Sequence, residues 1–227
     1  MDAIERGGME AMPIWLRKRR TGVGRPAERS RTEVTAAAIA LADGQGLAAV
    51  SMRRIAAELG TGAASLYRYV DSRDDLLDLM TDEVAAAYQL PAPGGPWLPG
   101  LLEVCRQGRE LMRRHHWLPE LLLTRSALGP HGTDLLEHVL AVLAGHPADV
   151  GRKLEAFAVM NTLTAAFVLN ELNGSSSARQ RQGAYLAHVI AAGRHAHLTA
   201  ALTDGPLVPA PRFEDVMSRV LAGLLEE

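Results

Sequence analysis

The stretch from Ser51 to Val70, SMRRIAAELGTGAASLYRYV, constrains the fold of this chain more than any other. Four apolar residues in it recur at the spacing of one helix face: Met52, Ile55, Ala56 and Leu59. Ser51 stands where a helix N-cap belongs, and Gly60 follows the stripe, where a left-handed turn suits glycine. A second short helix is predicted from Ala63 to Tyr69. Two short helices joined by a tight glycine turn predict a helix-turn-helix.

The residues that follow carry a family resemblance. The run Ser65 to Leu77, SLYRYVDSRDDLL, resembles the signature of the TetR family of bacterial one-component repressors. In that family the recognition helix ends in a Leu-Tyr-x-His/Tyr-Phe/Val pattern, and a basic residue and paired leucines follow. The segment Leu66 to Val70, Arg73, and the pair Leu76 and Leu77 occupy those places. The resemblance is specific from Arg29 to Leu79 and weaker elsewhere.

The resemblance implies roles in binding DNA. Arg53 would contact a guanine or a phosphate, Tyr67 would contact a phosphate, and Ser65 and Tyr69 would contact base edges or nearby phosphates. The predicted DNA-binding residues are Arg53, Thr61, Ser65, Tyr67, Arg68, Tyr69 and Arg73. From the residues alone, a helical hairpin with a solvated face is the alternative.

The distribution of charge favours contact with phosphates, although the formal net charge of the whole chain is −2. Residues 17–73 hold eleven Arg and Lys against five Asp and Glu, whereas residues 74–227 hold twelve against eighteen. A basic N-terminal third on an acidic body is typical of a nucleic-acid-binding protein.

Residues 1–28 are predicted to form a flexible basic arm. Its cations are interleaved with glycine and proline: Arg17, Lys18, Arg19, Arg20 and Arg25. Such an arm would neutralise phosphates or place an arginine in the minor groove. A solvated tail that makes no contact with DNA is the alternative.

Composition and periodicity predict an all-α protein, because Ala and Leu dominate and no alternating strand pattern appears. A three-helix DNA-binding domain is expected over residues 29–72, and its first helix runs from about Arg31 to Asp43, capped by Ser30. Residues 73–227 are expected to form a larger helical regulatory and dimerisation domain. It opens with a helix of about Arg73 to Gln89 and has a Pro/Gly-rich break at residues 91–100. Further helices are predicted over residues 97–115, 117–125, 132–144, 148–172, 177–200 and 212–225.

A homodimer is expected, because one helix-turn-helix contacts few base pairs and a near-palindromic operator supplies two half-sites. The apolar helices over residues 148–172 and 212–225, with or without 177–200, would pair with their symmetry mates as a four-helix bundle. The last helix should present Val216, Val220 and Leu224 on one face. In the alternative, these faces fill only the core of the monomer.

The region 97–172 resembles the regulatory domain of the tetracycline repressor, in which Arg114 to Leu118, RHHWL, stands where that type has a His-Pro-Trp-like run. Leu122 falls near the position of the magnesium-binding histidine, so a magnesium–tetracycline effector is not expected. The candidate ligand-binding residues are Val104, Leu111, Leu122, Arg125, Phe157, Asn161, Thr164 and Phe167. Plain core packing is the alternative for each of them; Asn161 and Thr164 stand out as polar residues on an apolar helix.

Other classes of protein are not favoured. Cys105 is the only cysteine, so no internal disulfide forms, and no apolar run has the length of a membrane span. The histidines lack the spacing of a zinc site, and no nucleophile elbow or P-loop occurs. We therefore expect a cytoplasmic protein that is not an enzyme and has no metal or cofactor.

The sequence thus predicts a ligand-responsive transcriptional repressor with two partners, a double-stranded DNA operator and a small, largely apolar effector. A constitutive DNA-binding protein without an effector is one alternative. A small-molecule-binding protein whose helix-turn-helix no longer binds DNA is the other.

Overall fold

The computed structural model describes residues 12–17, 30–125, 128–174, 176–203 and 212–226 of the 227-residue chain. Within these ranges the chain is helical and has no β-strand, which confirms the all-α prediction. The helices are α1 (Arg31–Gln45), α2 (Met52–Glu58), α3 (Ala63–Leu66), α4 (Arg73–Ala85), α5 (Trp97–Arg114), α6 (Leu118–Thr124), α7 (Pro130–Val142), α8 (Val150–Asn173), α9 (Ser176–Ala191), α10 (Ala196–Thr203) and α11 (Phe213–Leu225), with a 3₁₀ turn at Leu47–Ala49.

Local signals begin and end the first helices. Ser30 and Glu33 form a capping box on α1, because the Ser30 hydroxyl accepts from the Glu33 amide at 3.1 Å and the Ser30 amide donates to the Glu33 carboxylate at 2.7 Å. Ser51 caps α2 in the same way, by accepting from the amide three residues further on. After α2 the chain turns at Gly60, where φ is +64°.

Helix α3 is shorter than predicted, since it ends at Leu66 and not at Tyr69. The amides of Tyr69 and Val70 both donate to the Leu66 carbonyl, at 2.8 and 3.1 Å, and this closes the chain into a turn. Leu66 and Val70 are buried in the same hydrophobic cluster as Ile55 of α2, so the turn is anchored in the core.

Helix α4 ends at Ala85, four residues before the predicted Gln89. The side-chain amide of Gln107 on α5 accepts from the Gln89 backbone N–H at 2.8 Å and donates to the Gln89 carbonyl at 2.9 Å. These two bonds replace helical partners for Gln89 and direct the chain across α5.

The prediction of one helix over residues 177–200 is wrong. Helix α9 ends at Ala191 and α10 begins at Ala196. Gly193 lies between them with φ of +69°, and its N–H donates to the Ile190 carbonyl at 3.0 Å. A left-handed residue cannot continue a right-handed helix, so the glycine separates α9 from α10.

The last helix buries a different face from the one predicted to carry Val216, Val220 and Leu224. The buried residues of α11 are Phe213, Met217, Leu221 and Leu225. The predicted residues, Val216, Val220 and Leu224, are only half-buried. The Phe213 ring meets Phe167 of α8 edge-on, with 5.3 Å between ring centroids, and this contact turns the Phe213 stripe toward the body.

Part of the predicted flexible arm is packed on the body. Residues 12–17 form a turn whose Ile14 is 1% exposed and belongs to the core around the helix-turn-helix. The Arg17 guanidinium lies 2.8 Å from the Asp75 carboxylate and 3.3 Å from that of Asp71, at the start of α4. A flexible arm is therefore the wrong description for this segment. The other predicted arm residues, Lys18, Arg19, Arg20 and Arg25, lie outside the described residues.

Two hydrophobic clusters make up the core. The first joins α1–α4 to the end of α5, to α6 and to part of α8, and the second lies among α5, α7, α8 and α11. The first cluster therefore connects α1–α3 to the rest of the fold without a break. None of the described helices has the length and apolar character needed to cross a membrane.

Candidate DNA-binding face and ligand cavity

The outer face of α2 and α3 carries several of the predicted DNA-binding side chains. Arg53 and Arg68 are exposed, and Tyr67 is 48% exposed. The hydroxyls of Thr61 and Ser65 lie 2.7 Å apart, and Ser65 also donates to the Gly62 carbonyl at 2.7 Å. Because the Ser65 hydroxyl donates its proton to that carbonyl, the Thr61 hydroxyl is the donor to Ser65. The pair orders the first turn of α3.

Two of the predicted DNA-binding residues have structural partners. Arg73 donates to the carbonyls of Val50 and Leu47, each at 3.2 Å, and so ties the start of α4 to the loop before α2. The Tyr69 hydroxyl is enclosed and has no hydrogen-bond partner in the described part of the chain, so it does not reach the surface to contact a base edge. For Tyr69 the predicted contact therefore does not fit this conformation, because the turn after Leu66 directs the ring inward.

A cavity of about 360 Å³, partly open to solvent, is lined by residues of α4, α5, α6, α7 and α8. Five of the eight predicted ligand-binding residues line it: Leu111, Leu122, Arg125, Phe157 and Asn161. Val104 and Thr164 border a small adjoining space. Phe167 lines neither space, because its ring packs against Phe213 in the second cluster. The structure therefore does not support its predicted role in ligand binding.

The cavity wall is largely apolar, with a few polar groups that the sequence analysis missed. Tyr88 places its hydroxyl against Gly108, where a side-chain carbon would clash with it. Burial raises the pKa of the Tyr88 hydroxyl above its usual value, so it stays protonated and is a donor for a ligand. Asp82 also lines the cavity and is 7% exposed. A sequence signal for Asp82 exists: it lies one turn after Asp78 on α4.

Arg125 is a cavity residue whose charge is already balanced. Its guanidinium contacts the Asp78 carboxylate at 2.8 Å and that of Asp74 at 3.0 Å. Burial lowers the pKa of Arg125, but the hydrogen bonds and charges of Asp78 and Asp74 outweigh it and the net shift is upward. The arginine thereby fastens the end of α6 to α4.

A second contact joins the body to α1. Asp43 on α1 accepts from the Trp117 indole N–H at 2.7 Å, and the His115 Nδ1 lies 2.8 Å from the same carboxylate. Trp117 directly precedes α6, and Leu118 and Leu122 of α6 line the cavity. Helix α6 therefore connects the cavity wall directly to the residue that contacts α1.

Two family models match this chain, one for each part of the fold. Residues 34–80 match the family model described as "Bacterial regulatory proteins, tetR family", and residues 90–227 match the model for the "Tetracyclin repressor-like, C-terminal domain". The chain belongs to the TetR family. TetR proteins are DNA-binding transcription regulators and not enzymes, which confirms the family and the class of function predicted from the sequence.

Two named relatives are repressors or regulators of the same kind. The transcriptional repressor DrrR1 of Streptomyces coeruleorubidus is 42% identical over 132 residues, which is 57% of this chain and 49% of that protein. A transcriptional regulator of Saccharopolyspora erythraea is 35% identical over 128 residues, 53% of this chain and 54% of that one. This TetR chain thus spans about half the length of these curated relatives.

A solved TetR structure covers nearly the whole chain. ActR from Streptomyces coelicolor, in complex with actinorhodin, is 29% identical with a TM-score of 0.78, over 89% of this chain and 98% of ActR. The same protein in complex with (S)-DNPA gives 30% identity and a TM-score of 0.77, with the same coverage.

Proposed function

We propose that this protein is a homodimeric repressor that binds a near-palindromic operator and is released when a small, largely apolar ligand occupies the cavity. The observation that carries the proposal is the position of the cavity between α4 and α6, because contacts to the DNA-binding domain are made at the start of α4 and directly before α6. Arg73 ties α4 to the loop before α2, and Asp43 ties α1 to Trp117. The ligand complexes of ActR support a ligand-binding role for the body.

The proposed release follows from differential binding. A ligand lowers operator affinity only if it binds better to the conformation in which the two DNA-binding domains do not match the half-sites. Occupation of the cavity would press on α4 and α6, and the contacts at Arg73 and Asp43 would carry the displacement to α1 and α2. A constitutive DNA-binding protein would have no use for a cavity of about 360 Å³.

Exposed apolar residues on α8 and half-buried ones on α11 support the proposed dimer. On α8, Val150 is 67% exposed and Leu154 is 43% exposed, which leaves apolar surface in water. On α11, the row of Val216, Val220 and Leu224 stands beside the buried stripe and is half covered. Both helices would pack against their copies in a four-helix bundle.

The dimer is tested by the mass in solution. Val220→Asp is expected to convert a dimer to a monomer in light scattering after gel filtration, because a charge would enter the apolar interface. Glu226→Lys, at an exposed position after α11, is the matched control and should leave the mass unchanged. A wild-type monomer at micromolar concentration would count against the proposed dimer.

Operator binding is tested by fluorescence anisotropy with DNA from the upstream region of the gene. Tyr67→Ala and Arg53→Ala should weaken binding while thermal unfolding stays unchanged, because both side chains are exposed. Actinorhodin, the compound in the ActR complex, is a first candidate for release of the DNA. Unchanged operator affinity in both variants would refute the proposed interface.

A further inference from the structure

Five carboxylates lie directly before α4 or along it, and two arginines pair with four of them. Arg17 contacts Asp71 and Asp75, at 3.3 and 2.8 Å. A row of three carboxylates runs along the axis of α4, because its members are four residues apart: Asp74, Asp78 and Asp82. Arg125 contacts the first two members of that row, at 3.0 and 2.8 Å.

Asp82 is the member of this row that lacks a cation in the described part of the chain. Its Oδ1 accepts from the Gly132 amide at 2.9 Å, in the first turn of α7. Its Oδ2 has no hydrogen bond or ion pair there, and it is not among the fully enclosed side-chain atoms that lack a partner. Oδ2 is therefore not fully enclosed, and Asp82, which is 7% exposed, is one of the residues that line the cavity.

The cavity offers no other charge to a ligand. Its lining contains two charged side chains, Asp82 and Arg125, and Arg125 is already held between two carboxylates. Most of the remaining wall is apolar, and the largest apolar contributors are Leu111, Met112, Leu118, Leu122, Leu135 and Phe157. A volume of about 360 Å³ is within the range of sites for drug-sized molecules.

We propose that the ligand of this cavity is an amphiphilic amine, whose protonated nitrogen pairs with Asp82 and whose apolar ring system fills the remaining space. The ammonium would stand one helical turn beyond the Arg125 guanidinium and complete the row of ion pairs on α4. A buried carboxylate is costly without a partner cation, and charge-assisted hydrogen bonds are the strong ones. This inference rests on the proposed function, because it specifies the effector class of the same cavity.

The test uses two probes that share one ring system and differ in charge. At pH 7.5, 9-aminoacridine is a cation and acridine is neutral. With the full-length protein in the absence of DNA, calorimetric titration should give 9-aminoacridine a Kd lower than that of acridine by about tenfold or more, the equivalent of one charge-assisted hydrogen bond.

Asp82→Asn should remove that preference, because the amide keeps an acceptor for Gly132 but loses the charge. Binding of acridine should be unchanged in this variant, which also checks that the cavity is still folded. Glu83→Gln is the matched control, since Glu83 is an exposed neighbour on the same helix and its loss should leave both Kd values unchanged.

Equal affinity of the wild type for the two probes, or binding of neither, overturns the inference, even if Asp82→Asn fails to fold. A preference that survives in Asp82→Asn overturns it as well. The proposed function fails separately: if the amine binds through Asp82 but operator DNA is never released, the ligand class stands and the effector role falls.

Discussion

Truncation of Asp43 tests how strongly the body holds the DNA-binding domain. Trp117 is 4% exposed, and its indole N–H donates to Asp43 Oδ1 at 2.7 Å. In Asp43→Ala this donor stays buried without an acceptor, which costs about 1–3 kcal/mol. For a chain of this size each kcal/mol lowers Tm by about 2–4 °C, so a loss near 2 kcal/mol predicts a Tm lower by about 4–8 °C.

Asp43→Asn is the matched control, because its amide oxygen still accepts from Trp117 while the charge next to His115 is removed. It should lose less than half of what Asp43→Ala loses in differential scanning calorimetry. A double-mutant cycle with Trp117→Phe, which keeps a ring and removes the N–H, should show that the two losses are not additive. If Asp43→Ala melts with the wild type, or if the losses add, the reasoning from this contact is refuted.

Three further predictions concern Arg53, the cavity wall at Gly129, and Cys105. In Arg53→Ala, the slope of log affinity for the operator against log salt concentration should fall by about 0.9 if the contact is to a phosphate; an unchanged slope and affinity would exclude Arg53 from the interface. Gly129→Ala should lower Tm and weaken ligand binding, because the added carbon would collide with the Asp82 carboxyl and the Trp15 ring. An unchanged Tm and an unchanged ligand Kd would contradict this expectation. Burial raises the pKa of the Cys105 thiol from its ordinary 9.0 to about 12. Ellman's reagent at pH 8 should therefore label Cys105 only after unfolding. Because the unfolded chain releases the thiol proton at lower pH than the folded chain, the free energy of unfolding should fall as pH rises from 9.0 to about 12. Rapid labelling of the native protein would contradict both expectations.

Most of what could be predicted from the sequence depends on residues that are close together along the chain. The capping box of Ser30 and Glu33 joins residues three apart, and the turn at Gly60 depends on one residue's conformational freedom. The helices of the body were predicted to within a few residues for the same reason. The break at Gly193 is the exception, because a single glycine in a helical pattern is often tolerated and its left-handed conformation becomes evident only in the structure.

The cavity shows the limit of such reasoning. Leu122 and Asn161 could be selected as ligand-binding candidates from their places on predicted helices, and both line the cavity. Asp82 and Tyr88 could not be selected in the same way, because their importance depends on which face of α4 meets α5 and α7. Phe167, another candidate on the same predicted helix, turns toward Phe213 and away from the cavity.

The sequence by itself determined the helical class, the helix-turn-helix and the family, because periodicity, caps and a short motif act over a few turns of one chain. Only the tertiary structure decided which charges meet: Arg17 is 58 residues from Asp75, and Trp117 is 74 residues from Asp43. Contacts at that separation depend on how whole helices pack, and packing is settled by the complementary shapes of many side chains at once. The position of Asp82 in the cavity wall, on which the proposed ligand class depends, results from that packing.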